Sequence, residues 1–164
     1  MTRILVAYYS RSGNTRKIAG QIAATLNADI EEIIDTDRRQ GIRGYLRSGR
    51  QAFFRRLTSL RPGIRRPSDY DLVVIGSPIW NISLSSPVRT YIRQHRREIK
   101  DAAFFCTCGG MGAGRVFEQM AQETGQRPVS LLAVREAELD SPATAQAISK
   151  FCGALAPKPS ATAR

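Results

Sequence analysis

Short apolar runs alternate with amphipathic stretches along almost the whole chain. Five runs have the length, apolar content and polar or glycine boundaries of strands: Arg3–Tyr9, Asp29–Ile34, Asp71–Gly76, Ala102–Thr107 and Pro128–Val134. Four stretches carry apolar residues at helical spacing: Asn14–Leu26, Pro87–Arg97, Gly114–Thr124 and Ser141–Leu155. Strands that alternate with helices predict a parallel sheet covered on both faces. The pattern therefore predicts an α/β protein with a doubly wound, five-stranded parallel sheet.

The loops that follow the first, third and fourth predicted strands have an unusual composition. They span Ser10–Thr15, Ser77–Ser86 and Thr107–Gly114. In a doubly wound sheet, ligands bind outside the carboxyl ends of the strands, where the strand order reverses. We therefore expect all three loops at one edge of the sheet, and this edge is the candidate binding site.

The first loop, Ser-Arg-Ser-Gly-Asn-Thr, has the composition of a phosphate-binding loop. Ser10, Ser12 and Thr15 offer hydroxyl groups and Asn14 an amide, while Gly13 lets a ligand approach the backbone closely. The N–H groups and the dipole of the following helix start also attract anions. The alternative is a simple capped helix start, with Ser12 or Asn14 as the N-cap. The loop lacks the GxxxxGK[ST] pattern of nucleoside-triphosphate sites and the initial cysteine of a cysteine-dependent phosphatase.

The second and third loops predict a flat ligand group. Trp80, the only tryptophan, lies in a polar turn next to Pro78, so it is either a lid over the core edge or a stacking plate for a ring. A phosphate-binding loop at the same edge favours stacking. Thr107–Gly114 contains four glycines, which indicate backbone close to a flat ligand, or else a flexible loop. Together the loops predict a ligand with a phosphate at one end and a planar ring at the other.

The first loop and the helix after it resemble the signature of the flavodoxin-like family. Its spacings are matched by Tyr8, Ser10, Gly13, Thr15, Ala19 and Ile22, whereas Ala7 stands where a larger residue is usual. The resemblance covers about residues 1–155 except a basic segment, and it implies FMN as the cofactor. It implies that Ser10, Ser12, Asn14 and Thr15 hold the phosphate, that Trp80 stacks on the ring, and that the backbone of Thr107–Gly112 contacts the polar edge of the ring. The full set of implied FMN-binding residues is Ser10, Arg11, Ser12, Gly13, Asn14, Thr15, Pro78, Ile79, Trp80, Asn81, Thr107, Cys108, Gly109, Gly110, Met111 and Gly112.

Two departures from the family bear on the activity. Flavodoxins that act as carriers often stack a second aromatic residue from the third loop, where this chain has only Met111. Such carriers are also typically acidic around the flavin, whereas this chain is basic. Both differences favour an FMN-dependent reductase of the NAD(P)H:quinone reductase type, with a quinone-like acceptor. The alternatives are an electron carrier for a protein partner and a non-enzymatic anion- or nucleic-acid-binding module that has lost its flavin. No catalytic acid or base and no metal site is predicted.

The net charge of +11 is concentrated in one segment. Residues 38–66 contain ten arginines and no acid, and the other 135 residues carry 15 basic and 14 acidic side chains. Apolar residues recur there at mostly helical intervals: Ile42, Leu46, Phe53, Leu57, Leu60 and Ile64. We therefore predict that Arg38–Arg66 is a basic helical insertion between strands 2 and 3. It either covers the sheet or docks an acidic partner or an anionic membrane; nucleic acid is the least expected partner because its polar face lacks stacking aromatics.

The remaining features concern the compartment and the thiols. The three cysteines, Cys106, Cys108 and Cys152, are an odd number and are predicted to be free, with a redox role of Cys108 left open. No apolar run approaches the ~20 residues of a membrane span, and the N-terminus lacks signal-peptide features. We therefore expect a cytoplasmic protein with one domain, residues 1–155, and a flexible tail, residues 156–164.

Overall fold

A parallel sheet organises the residues that this computed structural model describes, 2–36 and 57–156. Its strands are β1 (Ile4–Tyr8), β2 (Asp29–Glu32), β3 (Leu72–Trp80), β4 (Ser83–Leu84), β5 (Asp101–Cys108) and β6 (Leu131–Arg135). Five of them are parallel in the order β2-β1-β3-β5-β6, and β4 pairs with β3 in the antiparallel sense. The predicted five-stranded parallel sheet is confirmed, with β4 as a short addition.

Helices cover both faces of the sheet, as predicted. They are α1 (Asn14–Leu26), α2 (Ser86–His95), α3 (Ala113–Thr124) and α4 (Pro142–Leu155), and two 3₁₀ turns span Pro67–Asp69 and Glu136–Glu138. One core layer contains the apolar faces of α1 and α4, and the other contains those of α2 and α3. No helix within the described ranges has the length and apolar character needed to cross a membrane.

The central and edge strands are buried to different degrees. Successive residues of β5 enter opposite layers, Phe105 facing α1 and α4 and Phe104 facing α2 and α3, and both are fully buried. The edge strand β6 buries only alternate residues, so Leu132 and Val134 are buried while Leu131 is exposed. The predicted strand began at Pro128, but β6 begins only at Leu131. The residues just before it still bond to β5, since the Val129 N–H donates to the Ala102 carbonyl at 2.8 Å.

The prediction that residues 77–86 form a loop is wrong in its first part. Pro78, Ile79 and Trp80 belong to β3, and the chain then turns back into β4. Asn81 and Ile82, with φ values of 48° and 60°, form the two-residue turn. Positive φ at both central residues matches the twist of a tight hairpin, which allows Trp80 to pair with Ser83.

The last ten residues of the basic segment are not helical. Arg61 N–H donates to the Ile34 carbonyl at 2.9 Å, and Asp35 forms an antiparallel bridge with Leu60. Leu57 is 46% exposed and Ile64 is 94% exposed, so the predicted apolar stripe is wrong at these two positions. Pairing with the chain after β2 holds this stretch extended. The rest of the predicted helix, in residues 38–56, and the tail after Ala156 lie outside the described residues.

Candidate functional site

The three predicted loops lie together at the carboxyl edge of the sheet. The loops follow β1, β3 and β5, which are neighbours, and the strand order reverses at β1. The Thr15 and Thr107 hydroxyl oxygens are 2.8 Å apart, which ties the first loop to the end of β5. A Cβ on Gly112 would lie 3.1 Å from the Ile82 Cα, so the hairpin turn and the third loop are in close contact. The edge therefore has the geometry of a binding site at a topological switch point.

The first loop leaves the start of α1 without a side-chain cap. Gly13 is the N-cap with a φ of 98°, so the predicted capping by Ser12 or Asn14 is wrong. Glycine adopts this left-handed conformation more easily than other residues. The Gly13 N–H donates to Ser10 Oγ at 3.1 Å, and the first turn of α1 contains no acid. The N–H groups of that turn are therefore suited to an anion.

The hydroxyl-bearing residues of the first loop divide into two groups. Ser10 and Asn14 are half-buried and Ser12 is exposed, so an incoming ligand can reach all three. Thr15 is buried, and its hydroxyl is already engaged with that of Thr107. Ser10, Ser12 and Asn14 are therefore the better placed anion donors, and Thr15 fixes the base of the loop.

Trp80 lies at the end of β3 between core and solvent. Its ring packs edge to face with Tyr9, at 5.5 Å between centroids and an interplanar angle of 84°. Tyr9 is held in turn by its N–H, which donates to the Gly76 carbonyl at 3.2 Å. The Arg11 Cζ lies 5.6 Å from the Trp80 ring centroid, a cation–π distance. The indole is thus fixed at the site by neighbours from the first strand and the first loop.

Three residues that position the site were missed by sequence reasoning. Tyr9 supports Trp80, Gln119 of α3 accepts a hydrogen bond from the Leu84 N–H at 2.8 Å, and Arg16 pairs with Glu32 at 2.6 Å. Each acts across elements that are distant in sequence. Only the position of Tyr9, directly after an apolar strand, gave any signal in the sequence.

The third loop presents backbone and one apolar side chain. Gly109, Gly110 and Met111 are exposed, and Gly112 is the N-cap of α3 with a φ of 99°. No side chain caps α3, and its first turn contains no acid. Met111 is 76% exposed and the nearby Ile82 is 43% exposed, so the rim of the site exposes apolar surface at these two positions.

The thiols near the site are buried. Cys106, Cys108 and Cys152 are all free, as predicted. Burial raises the pKa of Cys106 to about 12, which strongly disfavours its reactive thiolate. Cys108 is also buried, although it directly precedes the exposed glycines of the third loop. Cys106 and Cys108 are therefore packed side chains near the site, and Cys152 packs in the core layer of α1 and α4.

A cavity of about 790 Å³ lies away from this edge. It is lined by the C-terminal ends of α2 and α3 and the residues after them, among them Arg93, Arg96 and Gln126. Those residues precede the amino ends of β5 and β6, so the cavity is at the opposite edge of the sheet. It is therefore separate from the candidate site.

Fold and site together define an α/β protein whose carboxyl sheet edge combines a helix start without a side-chain cap and an aromatic side chain. The sequence model of the flavodoxin family matches residues 3–132. The chain therefore belongs to the flavodoxin family. No curated protein sequence matches it.

Solved structures show the same fold. A flavoprotein from Lactobacillus acidophilus NCFM in complex with FMN is 22% identical, with a TM-score of 0.61; the match covers 85% of this chain and 97% of that one. The apo-form of the flavoprotein from the same organism is 20% identical over 86% and 97% of the two chains, with a TM-score of 0.58. Oxidised flavodoxin 2 from Bacillus cereus is 20% identical over 94% and 97%, with a TM-score of 0.62.

Proposed function

We propose that this protein binds FMN at the carboxyl edge of its sheet. The observation that carries the proposal is the first turn of α1, which has neither a side-chain cap nor an acid. A phosphate fits this turn because the helix N–H groups, Ser12 and Asn14 can all donate to it. Membership of the flavodoxin family supports the proposal, as does the FMN complex of the similar flavoprotein from Lactobacillus acidophilus.

The ring end of FMN belongs at Trp80 and the third loop. Trp80 offers an aromatic face, and the exposed backbone of Gly109 and Gly110 offers polar groups to the edge of a flat ring. When bound, FMN supplies the electron- or hydride-transfer chemistry, and the protein binds it, orients it and controls access. Ser10, Ser12 and Asn14 would hold its phosphate.

We infer further that the protein is a reductase of quinone-like acceptors that uses NAD(P)H. The support is the rim of the site, where Ile82 and Met111 expose apolar surface suited to a flat apolar acceptor. The third loop places no aromatic side chain beside the ring position, which leaves room for a second planar molecule. The alternative is an electron carrier, for which the same apolar rim would contact a protein partner.

Flavin titration tests the cofactor assignment. Protein freed of flavin is titrated with FMN and with FAD while flavin fluorescence is followed. We expect tighter binding of FMN, because the start of α1 suits a terminal phosphate. The Trp80→Ala variant should quench flavin fluorescence less than the wild type does. It should also bind FMN more weakly by ~1–3 kcal/mol, by analogy with base–aromatic stacking. Tighter binding of FAD contradicts the assignment, and no binding of either flavin supports the module that has lost its flavin.

Steady-state oxidation of NADH and NADPH separates reductase from carrier. With FMN-loaded protein and a soluble quinone, we expect sustained turnover that rises with quinone concentration. Ile82→Ser together with Met111→Ser should raise the KM for the quinone more than it lowers kcat, because the rim contacts the acceptor. Absence of turnover with either nicotinamide cofactor would favour the carrier.

A further inference from the structure

One side chain links the two ends of the candidate site. Arg11 belongs to the first loop, yet its guanidinium lies over the Trp80 ring, with Cζ 5.6 Å from the centroid. None of the described acidic residues forms an ion pair with Arg11, whereas the nearby Arg16 is paired with Glu32. The Trp80 ring is thus a direct partner of the Arg11 charge.

Trp80 also contacts the protein core. Trp80 packs against the core layer that contains Tyr9 and Leu84, and the edge-to-face contact with Tyr9 is part of that packing. Arg11 itself is exposed. The guanidinium over the indole is therefore accessible to the solvent from which a planar ligand would arrive.

The covered face and a stacked ring require the same space. Offset-stacked aromatic rings have centroids roughly 4.5–7 Å apart, and the Arg11 guanidinium is 5.6 Å from the Trp80 centroid. A guanidinium and an isoalloxazine ring cannot both occupy that position.

We propose that Arg11 is a positioning residue that covers Trp80 and competes with the flavin ring for the same face of the indole. The proposal rests on the proposed FMN site. Binding of the ring then exchanges a cation–π contact for a stacking contact, so Arg11 sets how strongly the ring end contributes to affinity. The displaced guanidinium stays in the first loop, where its charge favours the phosphate end.

Riboflavin separates the two effects of Arg11. The affinity for FMN depends on contacts to both its ring and its phosphate. The affinity for riboflavin, which has the same ring and no phosphate, depends on the ring contacts without any phosphate contribution. Arg11→Ala should tighten riboflavin binding about two- to fivefold, the size of an exposed cation–π contact. Arg127→Ala removes the same charge from an exposed position between α3 and β6, at the opposite edge of the sheet, and it should leave riboflavin affinity unchanged. Unchanged or weaker riboflavin binding by Arg11→Ala overturns the competition.

Tryptophan fluorescence tests the cover without any flavin. Trp80 is the only tryptophan, so the emission of flavin-free protein reports this site alone. Acrylamide is a neutral quencher, and its quenching constant should rise in Arg11→Ala and stay constant in Arg127→Ala. The emission maximum should shift to longer wavelength in Arg11→Ala only. If the acrylamide quenching constants of wild type and Arg11→Ala are equal, and both unfold at the same temperature, the proposal that Arg11 covers Trp80 is wrong.

The two proposals fail in different ways. If wild-type protein binds neither FMN nor riboflavin, the proposed function and the competition both fall. If wild-type protein binds FMN while Arg11→Ala leaves riboflavin affinity unchanged, the competition alone falls and the FMN site stands.

Discussion

Gly76 of β3 shows how a single position can be set by packing alone. A Cβ on this residue would lie 2.0 Å from the Phe105 Cζ. Phe105 is fully buried on β5, the neighbouring strand, so its ring has no free space into which to move. Position 76 therefore has no room for a side chain, and its carbonyl also accepts a hydrogen bond from the Tyr9 N–H.

We expect Gly76→Ala to lower the free energy of unfolding by about 1–3 kcal/mol, as overpacked cores typically do. The matched control is Gly20→Ala on α1, where a Cβ meets nothing within 4 Å. Alanine is the better helix former, so the control should gain up to ~1 kcal/mol. Urea unfolding measures both, and similar stabilities of the two variants would contradict the packing argument.

Sequence reasoning identified which loops come together better than it identified their contacts. The unusual composition of the first loop and the single tryptophan pointed to the carboxyl edge of the sheet, where the structure brings the three loops together. The N-cap was misassigned because Ser12 and Asn14 are common cap residues, whereas the backbone dihedrals of Gly13 determine the actual cap. The Trp80 neighbours Tyr9 and Arg11 were not paired with it, because their contact depends on the register between β1 and β3.

At the scale of elements, the start of α1 combines low intrinsic stability with the phosphate-binding role proposed for it. Its first turn lacks both a side-chain cap and an acid, two features that usually stabilise a helix N-terminus. We expect that supplying the acid will therefore strengthen the helix and weaken the anion site.

Asn14→Asp tests this trade-off. The carboxylate should stabilise the flavin-free protein by about 0.3–1 kcal/mol through the helix dipole. It should weaken FMN by at least ~1 kcal/mol, the repulsion of two unit charges ~4 Å apart in water. Riboflavin, which lacks the phosphate, should lose much less affinity. Thermal unfolding and parallel titrations give the three values, and equal losses for both flavins would place the phosphate elsewhere.

Helices α2 and α3 are joined by a cluster of one acid and two arginines. Glu123 accepts hydrogen bonds from Arg89, and Arg93 Nε donates to it at 2.6 Å. The side chains of Arg89 and Glu123 are only 8% and 13% exposed, whereas that of Arg93 is 49% exposed. The hydrogen bond from Arg93, and secondarily that from Arg89, lowers the pKa of Glu123 against the opposing effect of its burial.

This cluster predicts a pH dependence of stability. A carboxylate with a lowered pKa in the folded protein contributes stability above its ordinary pKa of about 4.3. That contribution is lost as the pH falls through the lower folded value. In Glu123→Gln, the stability lost as the pH falls below ~4.3 should be smaller, because no carboxylate is left to protonate. At pH 7 the variant should be less stable by ~3 kcal/mol, because Arg89 stays buried without a countercharge. Arg93→Ala, at the exposed side, should lower stability by no more than ~1 kcal/mol. Urea unfolding across the pH range measures the stability of both variants. Equal losses of stability in Glu123→Gln and Arg93→Ala at pH 7 would argue against a buried pair of Arg89 and Glu123.

The elements themselves were predictable to different degrees. Long periodic segments such as α1 and α4 have the predicted bounds within one residue, because a buried stripe repeats over several turns. The hairpin of β3 and β4 was missed because β4 has two residues, too few to show a period. Ile82 also concealed the turn, since a β-branched residue seldom adopts the positive φ found there.

At the scale of the whole molecule, the charge is distributed unevenly. The ten arginines of residues 38–66 account for nearly all of the net charge of +11. The other 135 residues carry 15 basic and 14 acidic side chains, some of which pair, as Arg16 does with Glu32. A long-range attraction for anionic surfaces would therefore come from the basic segment, whose first part, residues 38–56, lies outside the described residues.

We predict that the basic segment gives salt-dependent binding to anionic membranes. Each basic residue near such a surface contributes ~1 kcal/mol, and this contribution falls off within a Debye length of ~10 Å at 0.1 M salt. The wild-type protein should therefore sediment with phosphatidylserine-containing vesicles at low salt and be released as salt is raised. A variant that carries glutamine at four positions of the segment should lose most of this binding: Arg47, Arg50, Arg55 and Arg56.

The control variant removes the same charge from exposed arginines elsewhere, namely Arg96, Arg97, Arg115 and Arg127. Because the attraction is local, the control should retain most of the binding. Equal loss in both variants would mean that net charge alone attracts the protein, and no binding by the wild type would leave the segment as a cover for the sheet.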